Sequence, residues 1–476
     1  MVVLAAGKGK RLRSATPKVL HPMCGRPVLW HVLRSLRGAR ADRIVIVVSH
    51  AGGPVEQAVR SWGIKPEPAF VVQDQRLGTG HAVGVAEQAV AGCSDVMVVA
   101  GDDPLFLPDH VRALVRAHRR GKAAATILTT VLDDPKGYGR IVRDEDGGLR
   151  EIGEEPDASP AVRAIREVAM LAYAFRREDL YKALPLVGRE NRQGEYYLHH
   201  VFPILLGKGE AVSLVEIDVG GELPQVNSRG GLAKATALMR RRILDGHMAN
   251  GVAVLDPATT YVDVDVRIGA DTILHPLTFL EGATRIGSGC SIGPSTRVVN
   301  TTVADAADVT FSVVRGARIG AGATVGPFAS IRQGTVLKEG AKAGTFVELK
   351  NTTVGAGSKV PHLSYMGDAT IGRRVNVGAG SITCNFDGYE KRETVIGDES
   401  FIGSDTMMVA PVRLGKRSWT GAGSVVSRSV PAGALAVERS EQRTVKGYDE
   451  RKRRAHGGRA PGEGRTTPKR GGDRSG

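Results

Sequence analysis

Between residues 268 and 298 one aliphatic side chain recurs at every sixth position: Ile268, Leu274, Leu280, Ile286, Ile292 and Val298. Glycine often follows it, as in "IGADTI", "IGSGCS" and "IGPSTR". Neither the 3.6-residue turn of a helix nor the two-residue alternation of a strand produces a period of six. A solenoid of hexapeptide repeats does, because each hexad is one short strand and a turn whose aliphatic residue enters a narrow core. The phase resumes over 319–336 and 371–382, and again from Ile402 through Met408, Leu414 and Thr420.

The first 225 or so residues follow another grammar. Short aliphatic runs at 2–6, 43–49, 69–73, 96–101 and 124–130 alternate with amphipathic stretches such as "PVLWHVLRSLRGA". That alternation predicts an α/β domain, Rossmann-like, with a mostly parallel sheet. Residues 228–250 read as one Arg-rich helix between the two patterns. The expected layout is a nucleotide-type domain over 1–227, a linker helix over 228–250, the solenoid over 251–440 and a basic tail over 441–476.

A chain of 476 residues is long enough for two or three domains. No apolar run reaches the roughly 18 residues of a membrane span. The opening "MVVLAAGKGKRLR" puts its apolar residues before its basic ones, the reverse of a secretory signal. Cys24, Cys93, Cys290 and Cys384 show no CxxC spacing. They are read as reduced thiols of a cytoplasmic protein rather than as disulfide or zinc ligands. Of the net charge of +15, the Gly/Pro/Arg-rich tail supplies a large part, with eleven Lys/Arg against five Asp/Glu. The tail is expected to be disordered and solvated, with nucleic-acid binding as the rival reading.

Two stretches carry chemistry. In "LAAGKGKRLRSATPKVL" a strand enters a Gly-rich loop followed by Lys8, Lys10, Arg11, Arg13 and Lys18. The loop lacks the third glycine of a dinucleotide fingerprint, so it suits phosphates better than NAD. In "KVPHLSYMGDATIGRRVNVGAG" the residues His362 and Tyr365 interrupt the hexads. A lone histidine there reads as structural. Arg332, Lys350, Asn376 and Lys391 interrupt the same pattern nearby, and coils of three hexads bring such positions side by side.

The order "LAAGKGKRLRSATPKVLH", "QRLGTGHAV", "GDDPL", "GYGRI", "QGEYYL", "VNSR", then "GPFASIR", "VELKN", "PHLSYMGD" and "GAGSITCNFDG", resembles one family. These are the bifunctional bacterial enzymes with N-acetylglucosamine-1-phosphate uridylyltransferase and glucosamine-1-phosphate N-acetyltransferase activities. The likeness runs from residue 1 to about 445 and implies that the solenoid is a left-handed parallel β-helix.

The resemblance implies UTP, acetyl-CoA and Mg²⁺ as co-substrates and cofactor, and UDP-N-acetylglucosamine synthesis as the outcome. Leu4, Ala5, Ala6 and Gly7 would cradle the nucleotide, Arg11 and Lys18 would meet its phosphates catalytically, and Gln73, Gly78 and Thr79 would read uracil. Asp102 and Asn227 would hold the metal, while Gly139, Glu154 and Asn227 would hold the sugar phosphate. Asp103 reads as a turn residue. In the solenoid His362 would be the catalytic base, its ring oriented by Glu348. Arg332, Lys350, Tyr365, Asn376 and Lys391 would hold glucosamine-1-phosphate, and Ala379, Asn385, Phe386, Ser404, Ala422 and Arg439 would line the acetyl-CoA site. A homotrimer with acetyl sites between chains is also implied.

The chain departs from the family pattern in "REVAMLAYAF", where the usual Asn is Ala169 and where Met170 and Leu171 add bulk. Lys10, His200, Gln333 and Phe386 are lesser departures. The "VAMLA" departure motivates one rival reading, an acetyltransferase with a weakened nucleotide half; an enzyme for another sugar and a non-catalytic assembly scaffold are the other two.

Overall fold

The computed structural model describes residues 1–460 apart from Lys8, Ala51 and the side chain of Lys10. Residues 461–476, the end of the tail expected to be disordered, lie outside the described residues, as do Lys8 and the Lys10 side chain among the loop cations.

The N-terminal sheet runs in the order Val212–Glu216, Ala125–Val131, Glu167–Arg176, Asp95–Ala100, Val2–Leu4, Val45–Val48, Ala69–Val72. Val2–Leu4 pairs in parallel with both neighbours. Its two faces feed two cores by strict alternation: Val3, Ile46 and Val99 enter one, Val2, Val45 and Val98 the other. Strands buried on both sides are uniformly aliphatic for this reason. Glu167–Arg176 runs against both neighbours and carries a hairpin, Gly139–Arg143 with Leu149–Gly153, so the sheet is mixed.

The helix Arg229–Ala249 starts at Ser228, whose hydroxyl accepts from the Gly231 N–H at 3.0 Å. It buries Ala235 in the first domain's core and Leu244 in the solenoid's. Arg26 pairs with Asp265, and the Val264 N–H donates to the Cys24 carbonyl at 3.0 Å, so the two domains touch beside this helix.

The solenoid has three parallel sheets of eleven, ten and nine strands. One coil is three hexads: Ile268 pairs with Ile286, Leu274 with Ile292, and Leu280 with Val298. All but the first of the six residues in the opening series are buried. Corner hydroxyls bond to carbonyls of the next coil, as Thr352 does to Met366 at 2.9 Å and Ser358 to Gly372 at 2.6 Å. At one corner Phe311, Phe328, Phe346 and Leu363 all take left-handed backbone angles and stand exposed, the rings spaced 5.7 and 5.4 Å apart. Within the tail, Tyr448–Ala455 form a helix that buries no residue.

Candidate active sites

At the C-terminal ends of the parallel strands, a cavity of about 690 Å³ is lined by Leu4, Ala6, Gly7, Gln73, Gly78, Thr79 and Asp102 together with Arg76 and Glu195. This is where open α/β sheets bind ligands. Gly78 has φ +110°, and a Cβ there would stand 2.5 Å from the Tyr196 carbonyl oxygen, so the turn requires glycine. Buried Gln73 donates to the Gly78 carbonyl at 3.1 Å and sits 3.0 Å from His81 Nδ1, which orients its amide. Arg76 donates to the Ala6 carbonyl at 3.0 Å. Ala5 is buried in the sheet behind the loop, and Arg11 is exposed and lines neither this cavity nor the next.

A second cavity of about 270 Å³ adjoins the first, with Asp102, Thr79, Leu171 and Glu195 lining both. Gly139, Glu154, Ala169, His199 and Asn227 line it as well. A Cβ at residue 139 would meet Ile152 at 2.7 Å and Glu154 at 3.3 Å, so glycine keeps this end open. Burial first, then Asp157, raises Glu154 to about 7. Burial likewise lowers His199 to about 3, and its Nδ1 lies 3.4 Å from Glu154 Oε1.

Two expectations are corrected here. Alternation along Glu167–Arg176 turns Met170 into the opposite core, so of the bulk additions only Leu171 reaches the cavity. Asp103 is more than a turn residue: it lines the second cavity, and burial followed by the neighbouring Asp102 carboxylate holds its carboxyl above the ordinary range.

Lys18 sits between Asp102 and Asn227, pairing with the carboxylate of one and the amide oxygen of the other. Asn227 is turned that way because its Nδ2 donates to Gln225 at 2.7 Å, and Gln225 donates to the Gly137 carbonyl at 2.6 Å. Among the described residues no group of three or more His, Cys, Asp or Glu converges as a metal cage. Two oxygens converging on one positive charge fit Mg²⁺, which keeps waters and substrate phosphates as its remaining ligands.

In the solenoid, Arg332, Glu348, Lys350 and Tyr365 share one outer face. Glu348 is taken by Arg332 at 2.7 Å, so in this arrangement its carboxylate pairs with the guanidinium instead of orienting His362. Lys350 lies 3.2 Å from Asp368, which also accepts from Asn351 at 2.8 Å and Asn385 at 2.6 Å. Burial works to raise Asp368, but these bonds together hold it below the ordinary carboxylate range. Lys391 is lowered by the adjacent Lys350 ammonium. Exposed His362 ends the strand Lys359–His362 at the corner before this face. Asn376 stands on the adjoining sheet, in register with Lys359.

Ala379, Ser404 and Ala422 occupy equivalent corners of successive coils. The Asp405 N–H donates to the Ala379 carbonyl at 2.7 Å and the Gly423 N–H to the Ser404 carbonyl at 2.8 Å. Arg439 closes the column on the Ala422 carbonyl at 3.3 Å. Asn385 sits with Asp368 and Tyr365, and Phe386 stands exposed beside Lys391.

Residues 1–179 match the model of the MobA-like NTP transferase domain. The bifunctional protein GlmU of Carboxydothermus hydrogenoformans is 44% identical over 447 residues, 94% of this chain and 99% of its own length. That of Streptomyces coelicolor is 45% identical over 95% of this chain and 94% of its own. That of Mycobacterium bovis is 44% identical, with 95% and 92% covered.

The chain belongs to the bifunctional GlmU family. As a GlmU-family member it is an enzyme of UDP-N-acetylglucosamine synthesis with a nucleotidyltransferase half and an acetyltransferase half. The scaffold reading therefore falls. Sequence reasoning did not single out Arg76, Glu195 or His199. The histidine pair of "YYLHHV" does not say from its order which ring is buried; the structure buries His199 and leaves His200 half-buried.

Proposed function

We propose that the two adjoining cavities hold UTP and N-acetylglucosamine-1-phosphate, with the transferred phosphorus beside Asp102, which both share. The sugar phosphate oxygen attacks the α-phosphorus of UTP, one P–O bond forms as another breaks, and pyrophosphate leaves. Catalysis rests on positioning and charge stabilisation. The loop Leu4–Gly7 presents backbone to the nucleotide, and Gln73, held by Gly78 and His81, meets the base. Asp102 and Asn227 would hold Mg²⁺, which when bound offsets phosphate charge. Lys18, which pairs with both residues here, would turn its ammonium to the phosphate beside them, and Arg11 would approach the phosphates from the exposed turn.

In the other half, the amine of glucosamine-1-phosphate attacks the thioester carbonyl of acetyl-CoA. The C–N bond forms, the C–S bond breaks, His362 takes the amine proton, and the thiolate leaves to be protonated. Arg332, Lys350 and Lys391 grip the phosphate. The depressed Lys391 supports this, because crowded ammonium groups gain most from a dianion. Tyr365 and Asn376 hold the sugar, and acetyl-CoA lies along Ala379, Asn385, Phe386, Ser404, Ala422 and Arg439.

We place the chain in the cytoplasm as a homotrimer with no bound nucleic acid. The exposed apolar column that ends at Leu363, beside His362, supports packing against another copy. Four free cysteines support a reducing compartment. Among the described residues no helix is long and apolar enough to cross a membrane.

The observation that carries the uridylyl reading is the shared position of Asp102 between the two cavities. Pyrophosphate release from UTP, Mg²⁺ and N-acetylglucosamine-1-phosphate tests it, alongside free thiol release from acetyl-CoA and glucosamine-1-phosphate. Thiol release without pyrophosphate release would favour the second reading, a sugar-shifted or weakened uridylyl half, which Ala169 on the cavity wall motivates.

A further inference from the structure

We infer that His199 is a sugar-binding residue of the uridylyl site, taking hydrogen-bonding work that the methyl of Ala169 cannot do. Both residues line the smaller cavity, with Glu154 beside them. His199 is 6% exposed, and its Nε2 has no hydrogen-bond partner among the described residues. Buried ring nitrogens are ordinarily paired, so an unpaired one on a ligand cavity awaits a partner from the ligand.

The ring is also held in place. Nδ1 lies 3.4 Å from Glu154 Oε1, the imidazole stacks on Tyr197 at 5.1 Å, and His200 meets it edge-on at 4.8 Å. Nδ1 faces Glu154, so the unpaired Nε2 is the end left for substrate. Burial keeps the ring uncharged near neutral pH, which suits a sugar better than a phosphate. A neutral imidazole nitrogen either donates or accepts according to its tautomer, so Nε2 can take one hydrogen bond with a hydroxyl or amide group of an amino-sugar derivative. Ala169 offers none of this. The polar group on this part of the wall therefore comes from the helical turn Leu198–His200, not from Ala169 on the strand Glu167–Arg176.

This inference rests on the uridylyl reading above. The experiment uses the full chain, with saturating UTP and Mg²⁺ and varied N-acetylglucosamine-1-phosphate, and compares wild type with His199→Phe, His199→Gln and His199→Phe combined with Ala169→Asn. Phenylalanine keeps the stack on Tyr197 and removes the nitrogen. Removing that one hydrogen bond should raise the KM for the sugar phosphate about tenfold, while the KM for UTP holds. Glutamine, and the asparagine added at 169, should each recover part of the affinity. Acetyl transfer in the same preparations reports that the chain is folded.

A sugar-phosphate KM unchanged in His199→Phe, or a UTP KM rising in parallel, overturns the inference. Calorimetric binding of N-acetylglucosamine-1-phosphate separates it from the broader reading. If wild type binds the sugar phosphate and His199→Phe does not, yet neither releases pyrophosphate, the uridylyl reading fails and the assignment of His199 stands.

Discussion

The ammonium of Lys18 joins Asp102 to Asn227, the latter 209 positions beyond Lys18 along the chain. A loop cation, a strand-end carboxylate and the amide just before the linker helix thereby meet at one point. Lys18→Ala should lower the rate of pyrophosphate release by about 100-fold or more, the scale of removing a charge-stabilising donor. Acetyl transfer should not change. Retention of most of the wild-type rate would remove Lys18 from the reaction.

His362→Ala should lower thiol release from acetyl-CoA by about 10²–10⁴-fold, the usual contribution of a positioned acid–base group. Pyrophosphate release is expected to stay intact, because the substitution is exposed and lies in the other domain. Equal loss of both activities would instead mean that the chain had misfolded.

Asp368 gathers Lys350, Asn351 and Asn385. Asp368→Ala frees three donors and leaves Lys350 facing Lys391 uncompensated. The KM for glucosamine-1-phosphate should shift by about tenfold, the scale of one charged hydrogen bond, with the KM for acetyl-CoA moving less. Steady-state kinetics with each substrate varied would show it, and an unaltered glucosamine-1-phosphate KM would count against this face as the phosphate grip.

His199 gives acid sensitivity with a defined sign. Its folded-state pKa is about 3 against an ordinary value near 6.5, so the unfolded chain binds the proton more readily. The stability this neutral ring contributes is present above ~6.5 and is lost at about 1.4 kcal/mol per pH unit as pH falls toward the folded value. Chemical unfolding of wild type and His199→Thr between pH 4 and 7 isolates it, because the two curves should converge on acidification. Parallel curves would show that the ring titrates normally.

Gly78→Ala sets a Cβ 2.5 Å from the Tyr196 carbonyl at φ +110°. The strain should cost about 1–3 kcal/mol and lower the thermal midpoint by a few degrees. Because Gln73 also bonds to the Gly78 carbonyl, the KM for UTP should rise with it. A variant as stable as wild type, with an unchanged UTP KM, would count against a strained turn here.

Much of the architecture was legible from local order. The aliphatic runs at 2–6 and 96–101 became central strands because residues facing two cores are all apolar. Leu274, Leu280 and Ile292 are buried as their spacing requires. The glycines at 78 and 139 were legible as motif positions, and the structure adds why each lacks a Cβ. The reversal of Glu167–Arg176 was not legible, since strand direction depends on partners distant in sequence.

By itself the sequence determined the period-six core, the run of strands before it and the helix between, because each depends on residues that are neighbours along the chain. Tertiary structure decided which side chains share a site. It turned Met170 away from the cavity and Asp103 into it, gave Glu348 to Arg332, and set His199 in the cavity with Ala169. Those outcomes follow from strand alternation, bulges and the stacking of coils in three dimensions, where residues far apart in sequence compete for the same partner.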